Sequence, residues 1–408
     1  MATLNDWRVW QSCSSLVLDT FVFFSGREMM PNRREFLSGA VIAAAATAAS
    51  PLLATEKTAG GSNAANATSG SALPRKPPLA SGLFPPDAEF GVGGTQLGNM
   101  FRVTPDDEAQ LMLEACWNNG VRYFDTSPWY GLGLSERRMG HFLDDKSPDD
   151  YVLSTKVGRL LVPDASANDI SIWAGRLNFD YRYDYSAAGV RRSVEDSLQR
   201  LGLPKIDIVY IHDLAPSNQD MGEEWTQYLK TALDGAMPEL TRMREEGIIG
   251  AWGMGVNDIE PSLAAMDNAD PDVILQATQY TLINHEDALN RLFPKCRDND
   301  VSLVIGAPLG SGFLAGTNYW MYSKDIPDEY WKQRDRLSAM AHEHGTDLRT
   351  AALQFTAAPD VVAATIPGAR NAVQARENRA SMDADIPAEF WQALKEEGLI
   401  AENAPTPS

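Results

Sequence analysis

Four side chains of the kind that move protons stand in the middle of the sequence. Asp125, Lys156 and His212 each end a short stretch rich in β-branched and aromatic residues, and Tyr130 follows Asp125 by five residues. A free tyrosine, with a pKa of about 10, is a poor acid or base at neutral pH. An ammonium about 4 Å away contributes roughly 4 kcal/mol at an effective dielectric constant of about 20. We therefore expect Lys156 to lower the pKa of Tyr130 into a useful range.

The four groups together suit proton transfer to or from a carbonyl or hydroxyl oxygen. We expect Asp125 to fix Lys156 and keep it charged, and His212 to orient the substrate oxygen by a hydrogen bond. Such a reaction also needs a hydride donor or acceptor, which no side chain can be. The alternative is structural: a buried Asp–Lys ion pair beside a hydrogen-bonded core histidine, because a buried lysine is costly unless it is paired.

Eight β-rich segments alternate with helical segments after residue 80. The strands are predicted at 90–94, 121–125, 151–156, 206–212, 248–254, 273–280, 301–307 and 361–366. Strict alternation predicts parallel strands, and this count and length favour an α/β fold, the closed (β/α)8 TIM barrel. The alternative, a doubly wound sheet, needs a G-x-G-x-x-G turn after its first strand, which Gly91-Val92-Gly93-Gly94 does not supply.

The carboxyl ends of the strands form the active-site face of such a barrel. Reading these ends places the following residues at one rim: Asp125, Lys156, His212, Asn257, Gln279 and Pro367-Gly368. Beyond Asp125, Ser127-Pro128 ends the strand, and Gly131 and Gly133 allow a turn around Tyr130. Ser135 is predicted to cap the next helix.

The first eighty residues have a different character from the rest. Arg33-Arg34 precede the short apolar run GAVIAAAATAASPLLA, the pattern of a twin-arginine signal peptide. We predict a leader at residues 1–54, a disordered linker at 55–80 and the barrel domain at 81–404. The position of Met29 and Met30 suggests the hypothesis that residues 1–28 are not translated. The leader predicts export of the folded protein to the periplasm by the twin-arginine machinery, or a cytoplasmic location if the signal is misread.

Composition limits the possible partners. The chain has 408 residues, 44% of them apolar, and a formal net charge of −20. This acidity argues against nucleic acid or an anionic membrane surface as a partner. The apolar run of the leader is too short for stable membrane insertion, which takes about 20 residues. Cys116 and Cys296 lie in separate predicted helices, so we expect two buried free thiols.

Several of these segments carry a resemblance to a known family. FDTSPWYGLGLSERRMG is similar to the active-site segment of the aldo-keto reductases, and the resemblance runs from about Glu89 to Ile400. It is strongest to the branch of D-threo-aldose 1-dehydrogenase, L-fucose dehydrogenase and pyridoxal 4-dehydrogenase. It implies that Asp125, Tyr130, Lys156 and His212 are the catalytic tetrad of an NAD(P)-dependent oxidoreductase. An aldose or an aldehyde is the implied substrate.

The resemblance also implies a nicotinamide cofactor, NAD or NADP, bound across the barrel top. Its expected contacts are Asn257, Gln279, Leu309, Gly310, Ser311, Gly312, Pro367, Gly368, Arg370, Gln374, Glu377 and Asn378. The family's strand-six glutamine has Ala277 at its place, and the aromatic residue that stacks on the nicotinamide is replaced by Gly306. Gly368 and Gln374 stand where NADPH-preferring relatives have Lys and Arg, which favours NAD even if Arg370 compensates in part.

The long loop after Lys156 is rich in aromatic residues, and we expect Trp129 and Trp173 to contact the substrate. Two other functions use the same barrel. One is a non-catalytic nicotinamide-binding regulatory or sensor subunit, and the other is a metal-dependent hydrolase. His342-Glu343-His344 resembles a metal motif, but side chains at i and i+2 of a helix do not face each other. No metal site is predicted.

Overall fold

The structure, a computed structural model, describes Phe84, residues 88–165 and residues 172–407. The predicted leader, with its twin-arginine motif, and the predicted linker lie outside the described residues. Both therefore stay predictions. No helix in the described ranges is long and apolar enough to cross a membrane.

Eight parallel strands form the barrel, and a two-stranded hairpin is added to it. The strands are β1 (Gly91–Gly93), β2 (Tyr123–Asp125), β3 (Val152–Val157), β4 (Arg159–Pro163), β5 (Phe179–Tyr183), β6 (Ile206–His212), β7 (Ile249–Val256), β8 (Val273–Ala277), β9 (Ser302–Gly306) and β10 (Val362–Ile366). The barrel order is β1-β2-β3-β6-β7-β8-β9-β10. Parallel bridges from Phe90 to Thr365 and from Gly93 to Gly368 join β1 to β10. The predicted TIM barrel is confirmed.

The helices surround the barrel and follow the strands in turn. They are α1 (Asp106–Asn118), α2 (Leu134–Leu143), α3 (Ala187–Leu201), α4 (Trp225–Thr231), α5 (Met237–Glu245), α6 (Glu260–Asn268), α7 (Phe293–Asp298), α8 (Asp328–Glu343), α9 (Leu348–Ala357), α10 (Ala372–Asp383) and α11 (Ala388–Glu396). Side-chain caps fix several starts: Ser186, Asp347 and Asn371 each accept a hydrogen bond from the backbone three residues on.

The apolar side chains form two layers. The larger cluster lies between the strands and the helices. The smaller one fills the barrel interior, where Tyr123, Ile208 and Tyr210 are completely buried. A filled interior leaves the rim at the strand ends as the place for a site.

Three local expectations differ from the structure. The loop after Lys156 contains the antiparallel hairpin β4–β5, which was not predicted. Strand β8 ends at Ala277, so Gln279 lies beyond it. Helix α2 begins at Leu134 after Gly133, and the predicted N-cap Ser135 instead donates to Gly94 O at 2.8 Å. Cys116 and Cys296 are buried and free, as expected.

Candidate active site

A buried ion pair joins the ends of β2 and β3. Lys156 Nζ donates to Asp125 Oδ2 at 2.6 Å and to Oδ1 at 2.9 Å, and also to Thr126 O at 2.9 Å. Both side chains are almost inaccessible to solvent. Burial lowers the pKa of Lys156 and raises the pKa of Asp125, and each charge opposes the shift of the other.

A chain of hydroxyl groups supports this pair from the barrel interior. Ser154 Oγ donates to Asp125 Oδ1 at 2.7 Å, because an ionised carboxylate only accepts. Tyr123 OH lies 3.0 Å from Ser154 Oγ and 3.1 Å from Tyr210 OH. Ser154 was missed in the sequence, although it lies two residues before Lys156 and so faces the same side of β3.

Tyr130 lies in the turn after β2, above the ion pair. Gly131 packs against Gly98 so closely that a Cβ on Gly131 would lie 2.6 Å from Gly98 O, which fixes the turn that carries Tyr130. Lys156 Nζ lies 4.6 Å from the centroid of the Tyr130 ring. The ammonium therefore faces the ring, while its hydrogen bonds go to Asp125 and Thr126.

The expected lowering of the Tyr130 pKa by Lys156 is wrong. Burial raises the pKa of Tyr130 well above its ordinary value, and the negative charge of Asp125 adds to this shift. Because Asp125 lies against the ammonium, the pair has little net charge to offer the phenol.

His212 ends β6 next to Tyr130, and the centroids of the two rings are 5.7 Å apart. Its Nδ1 lies 3.0 Å from Ser127 Oγ, and its backbone oxygen accepts a hydrogen bond from Tyr185 OH at 3.0 Å. Burial, and then the charges of Arg159 and Lys156, lower the pKa of His212 well below its ordinary value. The imidazole is therefore neutral at neutral pH.

A groove of about 720 Å³ crosses the barrel top from Tyr130 and Asp125. Nine of the twelve predicted cofactor contacts line it: Leu309, Ser311, Gly312, Pro367, Gly368, Arg370, Gln374, Glu377 and Asn378. Small residues at three strand ends, Gly93, Ala277 and Gly306, also line it. A Cβ at Gly306 would lie 3.1 Å from Leu275 Cδ2, so a larger side chain would disturb this surface. An extended cofactor fits a groove of this size and lining.

The other three predicted contacts lie elsewhere. Asn257 lines a second cavity, and Gln279 lines neither, since its Nε2 donates to Asn257 O at 2.7 Å. Gly310 lies within the loop but faces away from the groove residues: a Cβ there would lie 2.3 Å from the Trp320 ring. The backbone N–H groups of Gly310 and Gly312 donate to carbonyls of their own loop.

At the far end of the groove, the charged side chains of Arg370 and Glu377 already have partners within the protein. Arg370 Nη2 donates to Gln96 Oε1 at 2.5 Å and to Met100 O at 2.8 Å, and Nη1 donates to Thr104 Oγ1 at 3.1 Å. Glu377 forms an ion pair of 2.5 Å with Arg349.

The second cavity, of about 220 Å³, meets the groove at Tyr130 and Tyr322, which line both. Trp129 and Trp173 line it as expected, with ring centroids 5.6 Å apart. Polar residues missed in the sequence also line it: Arg159, Asp213, Asn218 and Asp220. Tyr322 comes from the loop after β9, where its backbone N–H donates to Ser311 Oγ at 2.9 Å. Its aromatic ring lines the groove together with Gly306.

Among the described residues no group of three or more His, Cys, Asp or Glu side chains is arranged to hold a metal ion. His342 lies in α8, which ends at Glu343, and His344 follows the helix.

Known proteins are similar to this chain in sequence and in fold. The family model described as Aldo/keto reductase family matches residues 89–397. D-threo-aldose 1-dehydrogenase of a Pseudomonas species is 36% identical over 80% of this chain and 97% of its own length. Pyridoxal 4-dehydrogenase of Microbacterium luteolum is 35% identical over 76% of this chain and 94% of its own length.

Solved structures share the fold at lower identity. A glycerol dehydrogenase from Gluconobacter oxydans matches with a TM-score of 0.61 and 22% identity, covering 83% of this chain and 97% of that one. An aldo/keto reductase from Klebsiella pneumoniae, solved with NADP and acetate, matches with a TM-score of 0.55 and 18% identity. It covers 78% of this chain and 94% of that one.

Proposed function

We propose that this chain, which belongs to the aldo/keto reductase family, oxidises an aldose or reduces an aldehyde with a nicotinamide cofactor and uses Tyr130 as general acid and base. The observation that carries the proposal is the position of Tyr130 where the long groove and the small cavity meet. A substrate oxygen in the small cavity and a cofactor in the groove would both reach this point.

The residues around Tyr130 have distinct roles in this proposal. A bound nicotinamide would supply or accept the hydride, and the nine predicted contacts that line the groove would hold it. Tyr130 gives a proton to the carbonyl oxygen in reduction and takes one from the hydroxyl in oxidation. Neutral His212 orients that oxygen. The ion pair of Asp125 and Lys156 lies below Tyr130 and fixes the bottom of the site.

The substrate we favour is an aldose. Trp129 and Trp173 offer aromatic faces to a ring, while Asp213, Asn218 and Asp220 offer hydrogen-bonding groups to several hydroxyls. Two relatives at 36% and 35% identity are an aldose dehydrogenase and a pyridoxal dehydrogenase, which is consistent with a cyclic, hydroxylated substrate.

The test is a panel of aldoses, pyridoxal and simple aldehydes with NAD and with NADP, followed by the absorbance of the reduced nicotinamide. We expect turnover with at least one aldose, and faster turnover than with simple aldehydes. Tight cofactor binding without turnover of any substrate would favour the second candidate, a nicotinamide-binding regulatory subunit.

We further propose that NAD is the preferred cofactor. Arg370 already donates to Gln96, Met100 O and Thr104, and Arg349 is paired with Glu377. Neither arginine is thus free for a 2′-phosphate, and the Glu377 carboxylate would repel it. Glu377→Gln is therefore expected to raise kcat/KM with NADP about tenfold while changing that with NAD little, since one charge-assisted bond is worth about 1.5–3 kcal/mol.

The matched control is Glu397→Gln, which removes one partner of an exposed pair with Arg336 elsewhere. It should leave both cofactor constants unchanged. An equal rise for both cofactors in Glu377→Gln would contradict the assigned role of Glu377.

The raised pKa of Tyr130 predicts different pH profiles for reduction and for oxidation. The phenol stays protonated from about pH 6 to about pH 9, so the rate of reduction is expected to be flat there. Oxidation needs the phenolate, whose fraction grows about tenfold per pH unit below the pKa, so its kcat/KM should rise throughout. Steady-state rates in both directions check this, and a plateau of oxidation near neutral pH would show that the pKa is low instead.

We also propose a periplasmic location for the protein. Arg33-Arg34 and the apolar run after them favour export to the periplasm through the twin-arginine machinery.

A further inference from the structure

A buried arginine lies beside the catalytic histidine. Arg159 begins β4, and its side chain is 4% exposed. Its Cζ lies 4.7 Å, 5.4 Å and 5.1 Å from the ring centroids of Trp129, Tyr181 and Tyr183. Burial opposes its charge, but Asp213 and the nearby tyrosines raise the pKa of Arg159 above its ordinary value. The guanidinium is therefore always charged, and it can donate hydrogen bonds but cannot accept them.

The same guanidinium contacts both His212 and Asp213. Arg159 Nη1 lies 3.4 Å from His212 Nδ1 and donates to Asp213 Oδ2 at 2.9 Å. The other carboxylate oxygen, Asp213 Oδ1, lies 3.4 Å from His212 Nε2. One ring nitrogen thus faces an obligate donor and the other faces an acceptor.

The hydroxyl of Ser127 is compatible with an unprotonated Nδ1 on His212 but does not select that tautomer. Ser127 Oγ accepts a hydrogen bond from Trp129 N at 3.1 Å and lies 3.0 Å from His212 Nδ1. A hydroxyl can donate to Nδ1 or accept from it, so Ser127 alone permits either tautomer. Arg159, which can only donate, favours an unprotonated Nδ1.

We propose that Arg159 is a positioning residue that places the ring proton of neutral His212 on Nε2 and not on Nδ1. This rests on the proposed function, because it concerns the same proton-transfer site. A neutral imidazole with the wrong tautomer would present a lone pair, and not a hydrogen, to a carbonyl oxygen.

The backbone at Asp213 supports a functional reading. Asp213 has a φ of 47°, in the left-handed region that a non-glycine residue seldom adopts. Its carboxylate, which accepts from Arg159 through Oδ2 and faces His212 Nε2 with Oδ1, lies directly after the catalytic histidine. Strain of this kind persists where the surrounding structure requires it.

One nitrogen of the Arg159 guanidinium lacks a hydrogen-bond partner. Its Nε is buried and has no hydrogen-bond partner. A buried N–H without a partner costs stability, and the ion pair with Asp213 and the hydrogen bond to Tyr183 OH at 3.2 Å offset this cost. The contact with His212 supplies a reason for an arginine here.

The experiment is ¹⁵N NMR of the histidine side chains in the whole protein, with the His212 signals assigned by their loss in His212→Asn. The wild-type protein is expected to show Nδ1 unprotonated and Nε2 protonated. Arg159→Met, which removes the donor, should show a mixture of both tautomers. Its kcat should fall about 10- to 100-fold, with KM for the cofactor unchanged.

Arg159→Lys, which keeps an obligate donor, is expected to retain the Nε2–H form and to lose less activity than Arg159→Met. A protonated Nδ1 in the wild-type protein would overturn the proposal, even if Arg159→Met does not fold. The proposal would also be overturned if His212 of the Arg159→Met variant still carried its proton on Nε2 alone. The tautomer is read without turnover, so a failure here is distinct from failure of the proposed function, which full activity of Tyr130→Phe would reveal.

Discussion

Tyr130→Phe is expected to lower kcat by about 10²- to 10⁴-fold, the range for loss of a positioned general acid. The change removes one oxygen at the junction of the groove and the small cavity and leaves the ring that packs near His212 and Trp173. The dissociation constant for the cofactor should change little. Steady-state rates and a fluorescence titration with the cofactor measure the two quantities.

Tyr151→Phe is the matched control, since it makes the same change just before β3 begins, at the other end of the barrel. It should keep wild-type turnover. If Tyr130→Phe were as active as this control, Tyr130 would not be the proton donor.

Lys156→Met is expected to lower the free energy of unfolding by about 3–5 kcal/mol, the cost of breaking a buried ion pair. The variant leaves the Asp125 carboxylate buried, with Ser154 as its remaining described donor and no compensating charge. Urea unfolding followed by circular dichroism gives the difference.

Two further variants complete this test. Lys295→Met removes one partner of the exposed pair with Asp267 and is expected to cost about 0–1 kcal/mol. Adding Asp125→Asn to Lys156→Met should recover part of the stability, because no buried charge then remains. A loss in Lys156→Met no larger than in Lys295→Met would mean that the buried pair is not ionised.

The fold and the meeting of the four side chains could be predicted because both follow from local pattern. Strict β/α alternation implies parallel strands, and parallel strands of a closed barrel end at one rim. Asp125, Lys156 and His212 each stand at such an end, so their proximity required only the strand boundaries.

Features that depend on long loops could not be predicted in this way. The hairpin that places Arg159 pairs residues on either side of a long insertion, such as Arg159 with Tyr183. Phe179–Tyr183 does alternate between aromatic and charged residues, but this pattern does not identify the strand with which it pairs. Tyr322 reaches the site from another loop, at a positive φ that its residue type does not suggest.

Two errors came from treating residues singly. Gln279 was placed at a strand end, but β8 stops at Ala277 and Gln279 bonds to the backbone of Asn257. The pKa of Tyr130 was expected to fall because Lys156 is close. Only the three-dimensional structure shows that the ammonium of Lys156 donates its hydrogen bonds to Asp125 and that the phenol of Tyr130 is buried.

The most direct test of the proton- and hydride-transfer site uses the best aldose of the panel with deuterium at C1. Mass spectrometry of the reduced cofactor after incubation with the oxidised form follows the label. We expect the wild-type enzyme to move one deuterium to the nicotinamide per turnover, and Tyr130→Phe, with cofactor bound, to move it at least about 10²-fold more slowly. Loss of the label to solvent, or equal transfer by Tyr130→Phe, would contradict the account.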